Sequence, residues 1–595
     1  MKRTLNADLK QLIGSQALVK GWIHTIRDLG KLMFVILRDR SGVVQVVIET
    51  PELLKEIQQL QVGSVISITG DVKQTTSTKE GYEIIALKCE VISAVTEAWP
   101  VEINKDNLNA SLETVLDYRP LTLRHKKYQA IFKVQATLVA AYREFLTKKG
   151  FVEFFGPNII GASSEGGSEM FKVQYFDNEA LLSQSAQLYK QMMVGVNERV
   201  FALMKCFRAE KSNTRRHLTE ATQFEFEMGF IEDYHEVMDY EEQVIKYMVN
   251  KVTTECAKEI AECGLNMAKC PMDVPFPRIK FRDALQLVFE RTGLDERNEK
   301  DLSPMAEGEL CKYAREEFGT DFIFVENFLR VKTAFYAKPN AADPSVTNYF
   351  DLLCREIEIA SGGQRIEQYD ELVDSLKFKG MDPNGFSDYL SIFKYGMPKH
   401  GGFGLGMERF TMMLLGLDNI RESTLFPSDP KRIAGVSIAG KLFFGDELHH
   451  EIIKRLDKNG FDYQLVEHEA VQTSSDAAKV RATKLEEGVK AIILKGKKSG
   501  KNIMVCLPAN EKVDLDAISK IENEKFEFEK ADTIKLKFGL EVGAIPPFAN
   551  LMNLTAYFAK SVLNEKRAAF NCGYTTKSVI MQSADLVELV NPILI

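Results

Sequence analysis

Residues 16–95 alternate apolar and polar positions with the period of β-strands, most clearly over 17–23, 32–38 and 43–48. Turn sequences break these runs, Asp28-Leu29-Gly30 and Asp39-Arg40-Ser41-Gly42 among them, so the pattern predicts a small all-β barrel. Residues 99–124 carry little periodicity and read as a hinge. From Tyr128 to Lys149 the apolar Ile131, Val134, Leu138 and Phe145 keep helical spacing, and Gly150 offers a left-handed stop. A long amphipathic helix therefore opens a second domain, which mixes strands such as 200–204 with helices such as 235–252 and runs to about Arg432. Beyond Leu425-Phe426-Pro427-Ser428-Asp429-Pro430 another α/β pattern begins, with helices predicted over 447–459 and 475–488 and strands over 491–494 and 502–506.

Composition narrows the classes further. The chain has 595 residues, 45% hydrophobic and 27% charged, enough for three or four domains with their own cores and too apolar for a disordered chain. A net charge of −8 argues against a generally basic nucleic-acid coat, although local basic surfaces remain open. Nine cysteines include no C-x-x-C pair. Cys256, Cys263 and Cys270 recur every seven residues, which suits one helix side better than a zinc cage. The first residues lack the apolar centre of a signal peptide, and no apolar run approaches the ~20 residues of a membrane span. A soluble cytoplasmic protein with no membrane partner is expected.

Three distant segments share a chemistry. They are Phe207-Arg208-Ala209-Glu210 with Arg216-His217-Leu218, then 358–365, then Gly402-Phe403-Gly404-Leu405-Gly406-Met407-Glu408-Arg409. They offer guanidinium forks for phosphate or carboxylate, hard oxygens for a cation, and glycines where backbone and ligand approach closely. The glycine string lacks the βαβ context and downstream acidic residue of a dinucleotide fingerprint. Along 350–361, alternation brings carboxylates at even separations to one face, with Ser361 just beyond.

These segments resemble motifs 2 and 3 of the class II aminoacyl-tRNA synthetases, nearest to the aspartyl and asparaginyl branch. The resemblance implies an N-terminal OB-fold anticodon-binding domain (1–100), a hinge (101–127) and an α+β catalytic domain on an antiparallel sheet (128–433). It makes Arg208, Glu210 and Arg409 catalytic, with ATP also meeting Arg216, His217, Leu218, Glu358 and Gly406. It assigns Asp351, Glu358 and Ser361 to ATP-bound Mg²⁺, and places Pro157 at a homodimer interface. Aspartate would be held by Glu165, Gln187, Lys190, Arg208, Asp233, Ser361 and Arg365. Lys190 and Arg365 would face the substrate carboxylate with two positive charges, which asparagine would leave unpaired. Asparaginyl relatives generally lack the lysine. Two departures stand out: Ala186 replaces a common proline, and Ala221 replaces an aromatic residue often found against adenine.

In the barrel, Phe34, Gln45 and Glu83 match positions that meet anticodon bases; Phe34 could equally be core. His24 replaces a tryptophan that accompanies rejection of the asparagine tRNA in archaeal-type relatives. The reading is therefore an aspartate–tRNA ligase for tRNA(Asp) and also tRNA(Asn), the latter requiring an amidotransferase downstream. The alternatives are an asparagine–tRNA ligase and a non-catalytic sensor of RNA or amino acid. After a linker (434–461), residues 462–595 resemble the YbaK and prolyl-tRNA-synthetase-associated deacylases, an α/β fold. Lys490 matches that family's functional lysine, and Gly543 and Pro546 its substrate loop. An active hydrolase, a tRNA-binding appendage and a relic all remain open.

Overall fold

Five strands close the N-terminal barrel: β1 (Gln16–Asp28), β2 (Met33–Arg38), β3 (Val43–Ile48), β4 (Val65–Gln74) and β5 (Tyr82–Ser93), in the order β1-β2-β3-β5-β4. Alternation sorts their side chains. Met33, Val35 and Leu37 of β2 fill the interior, whereas Phe34, Ile36 and Arg38 stay partly exposed on the other face. This computed structural model describes residues 1–161, 170–212, 214–433, 436–437, 445–471 and 473–595. It divides into two units, Met1–Pro430 and Lys431–Ile595.

Within the first unit, an eight-stranded sheet carries the second domain. Its strands are β6 (Val152–Glu153), β7 (Arg199–Phe207), β8 (Glu220–Gly229), β9 (Arg278–Lys280), β10 (Phe322–Glu326), β11 (Tyr349–Cys354), β12 (Ile357–Gln364) and β13 (His400–Gly406). The order is β9-β10-β11-β12-β13-β8-β7-β6, antiparallel except at the two edge pairs. The helices Lys126–Lys148 and Tyr234–Glu255 help build the core over this sheet through Ile131, Val134, Leu138, Val244, Ile245 and Met248. Gly150 follows the first helix at φ +81°, as the spacing predicted. The hinge stretch contains the short helices Leu112–Asp117 and Arg119–Thr122, whose Val115 joins the sheet-domain core.

Strand β13 contradicts glycine's poor strand propensity, and its neighbours explain why. It lies between β12 and β8. A Cβ on Gly402 would collide with the Phe226 carbonyl and the Glu227 carboxylate, and one on Gly404 would lie 3.2 Å from the Glu225 carboxylate. The glycines leave room for two glutamates of β8 to lie across the strand.

The second unit holds two sheets. One orders β14 (Tyr463–Glu467), β20 (Lys577–Gln582) and β19 (Arg567–Tyr574); the other orders β17 (Phe526–Phe528), β15 (Val489–Gly496), β16 (Asn502–Pro508), β18 (Thr555–Phe558) and β21 (Ile593–Leu594). Two boundaries differ from the sequence reading. The expected linker contains the helix Gly445–Asn459, whose Leu448, Ile452 and Leu456 are buried in this unit's core. The helix expected over 475–488 ends at Arg481, because Ala482 turns left-handed at φ +53° and 489 already begins β15.

Candidate active site

One cleft on the eight-stranded sheet collects most of the predicted residues: Gln187, Lys190, Arg208, Glu210, Arg216, His217, Leu218, Glu358, Ser361, Arg365, Gly406 and Arg409 all line it. The β7–β8 hairpin sets the first group. Phe207 and Glu220 are opposed across it, and the Arg208 amide donates to the Thr219 carbonyl at 2.9 Å, closing the loop that carries Arg208 to Leu218. Glu210 lies 3.9 Å from both Arg208 Nη1 and His217 Nε2. Burial pushes the His217 pKa down, with the neighbouring arginines adding to the shift. Arg216 Nη1 donates to Glu307 at 2.9 Å.

Arg409 sits in the first turn of the helix Met407–Leu415, which Gly406 caps and Gly416 ends at φ +63°. Its Nη1 donates to the Glu358 carbonyl at 2.9 Å and lies 3.7 Å from that residue's carboxylate. The strand–helix junction of β13 is thereby joined to β12.

Asp351, Glu358 and Ser361 lie together on β11 and β12: Asp351 is opposite Ser361, and Ser361 Oγ donates to Glu358 Oε1 at 2.9 Å. Asp351 Oδ1 is buried without a hydrogen-bond partner. Burial and the nearby Glu358 charge push the Asp351 pKa well up. An orphaned hard oxygen beside a second carboxylate and a hydroxyl fits a small divalent cation that completes its shell with phosphate and water. Among the described residues no cluster of three or more His, Cys, Asp or Glu forms a fuller cage.

The floor of the cleft corrects one expectation. Lys190 and Arg365 are 1% and 2% exposed, so both are buried, and both already have anionic partners. Lys190 Nζ lies 2.7 Å from Glu225 and 3.3 Å from Glu227, and donates to the Phe403 carbonyl at 3.1 Å. Arg365 donates from Nε to Glu227 at 2.8 Å and from Nη2 to the Gly402 carbonyl at 2.8 Å. Burial opposes its charge, but Glu227 outweighs burial and raises the guanidinium pKa; burial likewise opposes the charge on Glu227, and Arg365 and Lys190 hold its pKa down. The two cations are therefore balanced from within, and an uncharged substrate would not leave them unpaired.

Beside this floor, Gln187 donates to Gln191 at 3.0 Å, and Tyr389 donates to the same Gln191 oxygen at 2.9 Å. Gln191 Nε2 then faces His400 Nε2 at 2.9 Å, while His400 Nδ1 faces the Pro398 carbonyl at 2.8 Å. These partners assign the proton to Nδ1. Burial lowers the His400 pKa and keeps the ring neutral.

Several predicted residues lie elsewhere. Asp233 does not line the cleft: it is exposed and caps the helix Tyr234–Glu255, accepting from the His235 amide at 2.7 Å. Glu165 lies outside the described residues. Pro157 is exposed. Phe34, Gln45 and Glu83 are partly exposed on adjacent barrel strands, and Gln45 donates to Glu83 at 2.8 Å; Phe34 is not core. In the second unit, Lys490 and Gly543 line a separate pocket, whereas Pro546 is buried and does not line it. Glu225 and Glu227 were overlooked although Gln223-Phe224-Glu225-Phe226-Glu227 alternates plainly, with both carboxylates on one strand face.

Comparison with known proteins defines the class. The family of class II tRNA synthetases (D, K and N) matches residues 111–430, an OB-fold nucleic acid binding domain matches 17–92, and an aminoacyl-tRNA editing domain matches 468–589. The chain belongs to the class II aminoacyl-tRNA synthetases, with an OB-fold at one end and an editing domain at the other; ATP and a divalent cation go with that family. Over 72% of its length it is 43% identical to the aspartate–tRNA(Asp/Asn) ligase of Thermus thermophilus, covering 99% of that protein. The aspartate–tRNA(Asp) ligase of Pyrococcus horikoshii is 40% identical over 72% of this chain and 98% of its own. The asparaginyl-tRNA synthetase structure from Pyrococcus horikoshii, complexed with asparaginyl-adenylate, superposes with a TM-score of 0.68 at 36% identity, covering 73% of this chain and 99% of that one.

Proposed function

We propose that this chain is an aspartate–tRNA ligase that charges both tRNA(Asp) and tRNA(Asn). The observation that carries the reading is the convergence of Arg208, Arg409, Glu358, Lys190 and Arg365 on one cleft. The substrate's α-carboxylate attacks the α-phosphorus of ATP, the bond to pyrophosphate breaks, and the ribose 3′-hydroxyl of the tRNA then takes the aspartyl group from the adenylate. Arg208 clamps the carboxylate and α-phosphate; Arg409, with Arg216, His217, Glu210 and Leu218 around the nucleotide, receives charge developing on the leaving phosphates. No side-chain nucleophile is required. Asp351, Glu358 and Ser361 would hold Mg²⁺, which when bound offsets phosphate charge.

Selection of aspartate rests on aimed donors rather than on surplus charge. Among the described residues, the protein hydrogen bonds of Arg365 use Nε and Nη2, so Nη1 serves the ligand. A carboxylate accepts from it with either oxygen, whereas a carboxamide accepts with only one of its two ends. Gln187 and Ser361 line the same subsite, and the family resemblance assigns Glu165 to the substrate ammonium. Phe34, Gln45 and Glu83 read the anticodon, where one stacked base is worth about 1–3 kcal/mol, and His24 leaves the asparagine tRNA acceptable. Names among the relatives support that range, since the Thermus thermophilus ligase is described as Asp/Asn. Aspartyl-tRNA(Asn) then needs an amidating enzyme. Pro157 lies in an exposed apolar stretch with Phe155 and Ile159, 85% and 50% exposed, which suits a homodimer contact. The C-terminal domain acts as an aminoacyl-tRNA deacylase through Lys490 and the loop at Gly543 and Pro546. A cytoplasmic location fits; no helix among the described residues is long and apolar enough to cross a membrane.

The test is ATP–pyrophosphate exchange with aspartate and asparagine in parallel, followed by charging of pure tRNA(Asp) and tRNA(Asn) transcripts. Exchange with aspartate alone and charging of both transcripts are expected. Exchange with asparagine alone defeats the aspartate assignment, and failure on the tRNA(Asn) transcript restricts the enzyme to one tRNA.

A further inference from the structure

The C-terminal pocket has an unusual charge balance. Two cations, Arg481 and Lys490, line it together with Thr473, Ser474, Gly543 and Asn571, and no carboxylate does so among the described residues. Arg481 is only 9% exposed, and its hydrogen-bond partners among the described residues are all uncharged: Nε donates to Ser578 Oγ at 2.8 Å, Nη1 to the Ala569 carbonyl at 3.3 Å and Nη2 to Asn571 Oδ1 at 2.5 Å. A guanidinium carries five N–H donors, so two are left over. Lys490 Nζ gives two of its three protons to the carbonyls of Ala509 and Glu511. Burial, aided by the nearby Lys512, pushes the Lys490 pKa down, and the Glu511 charge offsets only part of that; Glu511 Oε2 itself accepts from Ser561 at 2.9 Å.

The same network holds the loop. Asn571 Nδ2 donates to the Gly543 carbonyl at 2.5 Å, and Ser578 Oγ bonds Asn571 Oδ1 at 2.8 Å and faces His468 Nε2 at 2.7 Å. Arg481 thus reaches the substrate loop through one amide, and among the described residues no carboxylate is paired with it. Burial pushes its pKa down to about 10, as a desolvated cation lacking a counter-charge requires. Burying an ionised group without a partner is costly; an incoming anion with spare donors aimed at it removes that cost.

We infer that this pocket binds aminoacyl esters whose side chain ends in a carboxylate, and that the ester it hydrolyses is aspartyl-tRNA. The inference rests on the reading of this domain as a deacylase and adds its substrate class. Water supplies the hydroxyl that bonds to the acyl carbon, the bond from that carbon to the ribose oxygen breaks, and the water's remaining proton passes to that oxygen. Aspartate and uncharged tRNA are released. Aspartyl esters are the ones the first unit supplies, so on this account the second unit prunes its own chain's product, including aspartate carried by the asparagine tRNA.

The experiment uses the full chain without ATP, so that nothing is recharged, and follows loss of label from aspartyl-, asparaginyl- and alanyl-tRNA prepared on one transcript. Aspartyl-tRNA is expected to be hydrolysed about tenfold or more faster than the neutral esters. Arg481→Gln should abolish that ratio while Arg481→Lys keeps most of it. The wild-type ratio alone tests the inference if the glutamine variant fails to fold. Equal hydrolysis of neutral and acidic esters overturns the carboxylate assignment and leaves the deacylase standing, as does a glutamine variant that slows every ester alike, the mark of a phosphate contact. No hydrolysis of any ester overturns both.

Discussion

Lys190 looks from sequence like a free charge awaiting a substrate, yet it is one of four alternating charges, Glu225–Lys190–Glu227–Arg365, within 2.7–3.3 Å contacts. Breaking such a buried pair costs about 3–5 kcal/mol, so the lattice fixes donor directions before any ligand arrives. Glu241 is the odd member nearby. It is fully buried, neither carboxylate oxygen has a hydrogen-bond partner, and burial holds its pKa well up despite Lys190. A carboxyl whose pKa is raised by folding stabilises the native state below its unfolded value and loses that contribution as pH rises toward the folded one. Glu241→Gln should therefore match the parent near pH 4.5 and exceed it above, by about 1.4 kcal/mol per pH unit until the folded pKa is reached. Thermal unfolding of both proteins across pH 5–9 checks this; a constant difference would mean that Glu241 is ionised in the fold.

Among elements, the β7–β8 hairpin and the β13–helix junction do the positioning. Gly402→Ala should wedge β8 from β13 and displace Glu227, at about 1–3 kcal/mol. Loss of aspartate-dependent exchange with retained far-UV circular dichroism is expected, and unchanged exchange would show that the strand can move aside. Much of this level was legible in sequence. Alternation over 32–38 and helical spacing over 131–145 are local signals, and Gly150 marks a helix end. The motif residues were legible because Arg208, Glu358 and Arg409 stand in distinctive local wording. Asp233 was misplaced because cap and ligand use the same oxygen chemistry. Glu225 and Glu227 were missed because their meaning depends on glycines about 175 residues away along β13. The early end of the helix at Arg481 turns on a left-handed alanine, which no residue preference announces.

At the scale of the whole molecule, the two units have separate cores, and the linker expected over 434–461 gives a helix to the second. The first unit shows exposed apolar side chains around Pro157 that its own core does not use. If the proposed homodimer forms through this stretch, Phe155→Asp should lower the sedimentation coefficient in analytical ultracentrifugation and reduce charging while leaving circular dichroism intact; an unchanged sedimentation coefficient would overturn a homodimer contact here.

At Gly404 and Gly406 the cleft is lined by main chain without side chains. Its contour is inherited from strand register, so gradual drift in amino acid preference has no purchase there. Any evolutionary path to a differently sized substrate must run through the walls, at positions such as Gln187 and Tyr336, and a saturation library built on the floor would be largely dead.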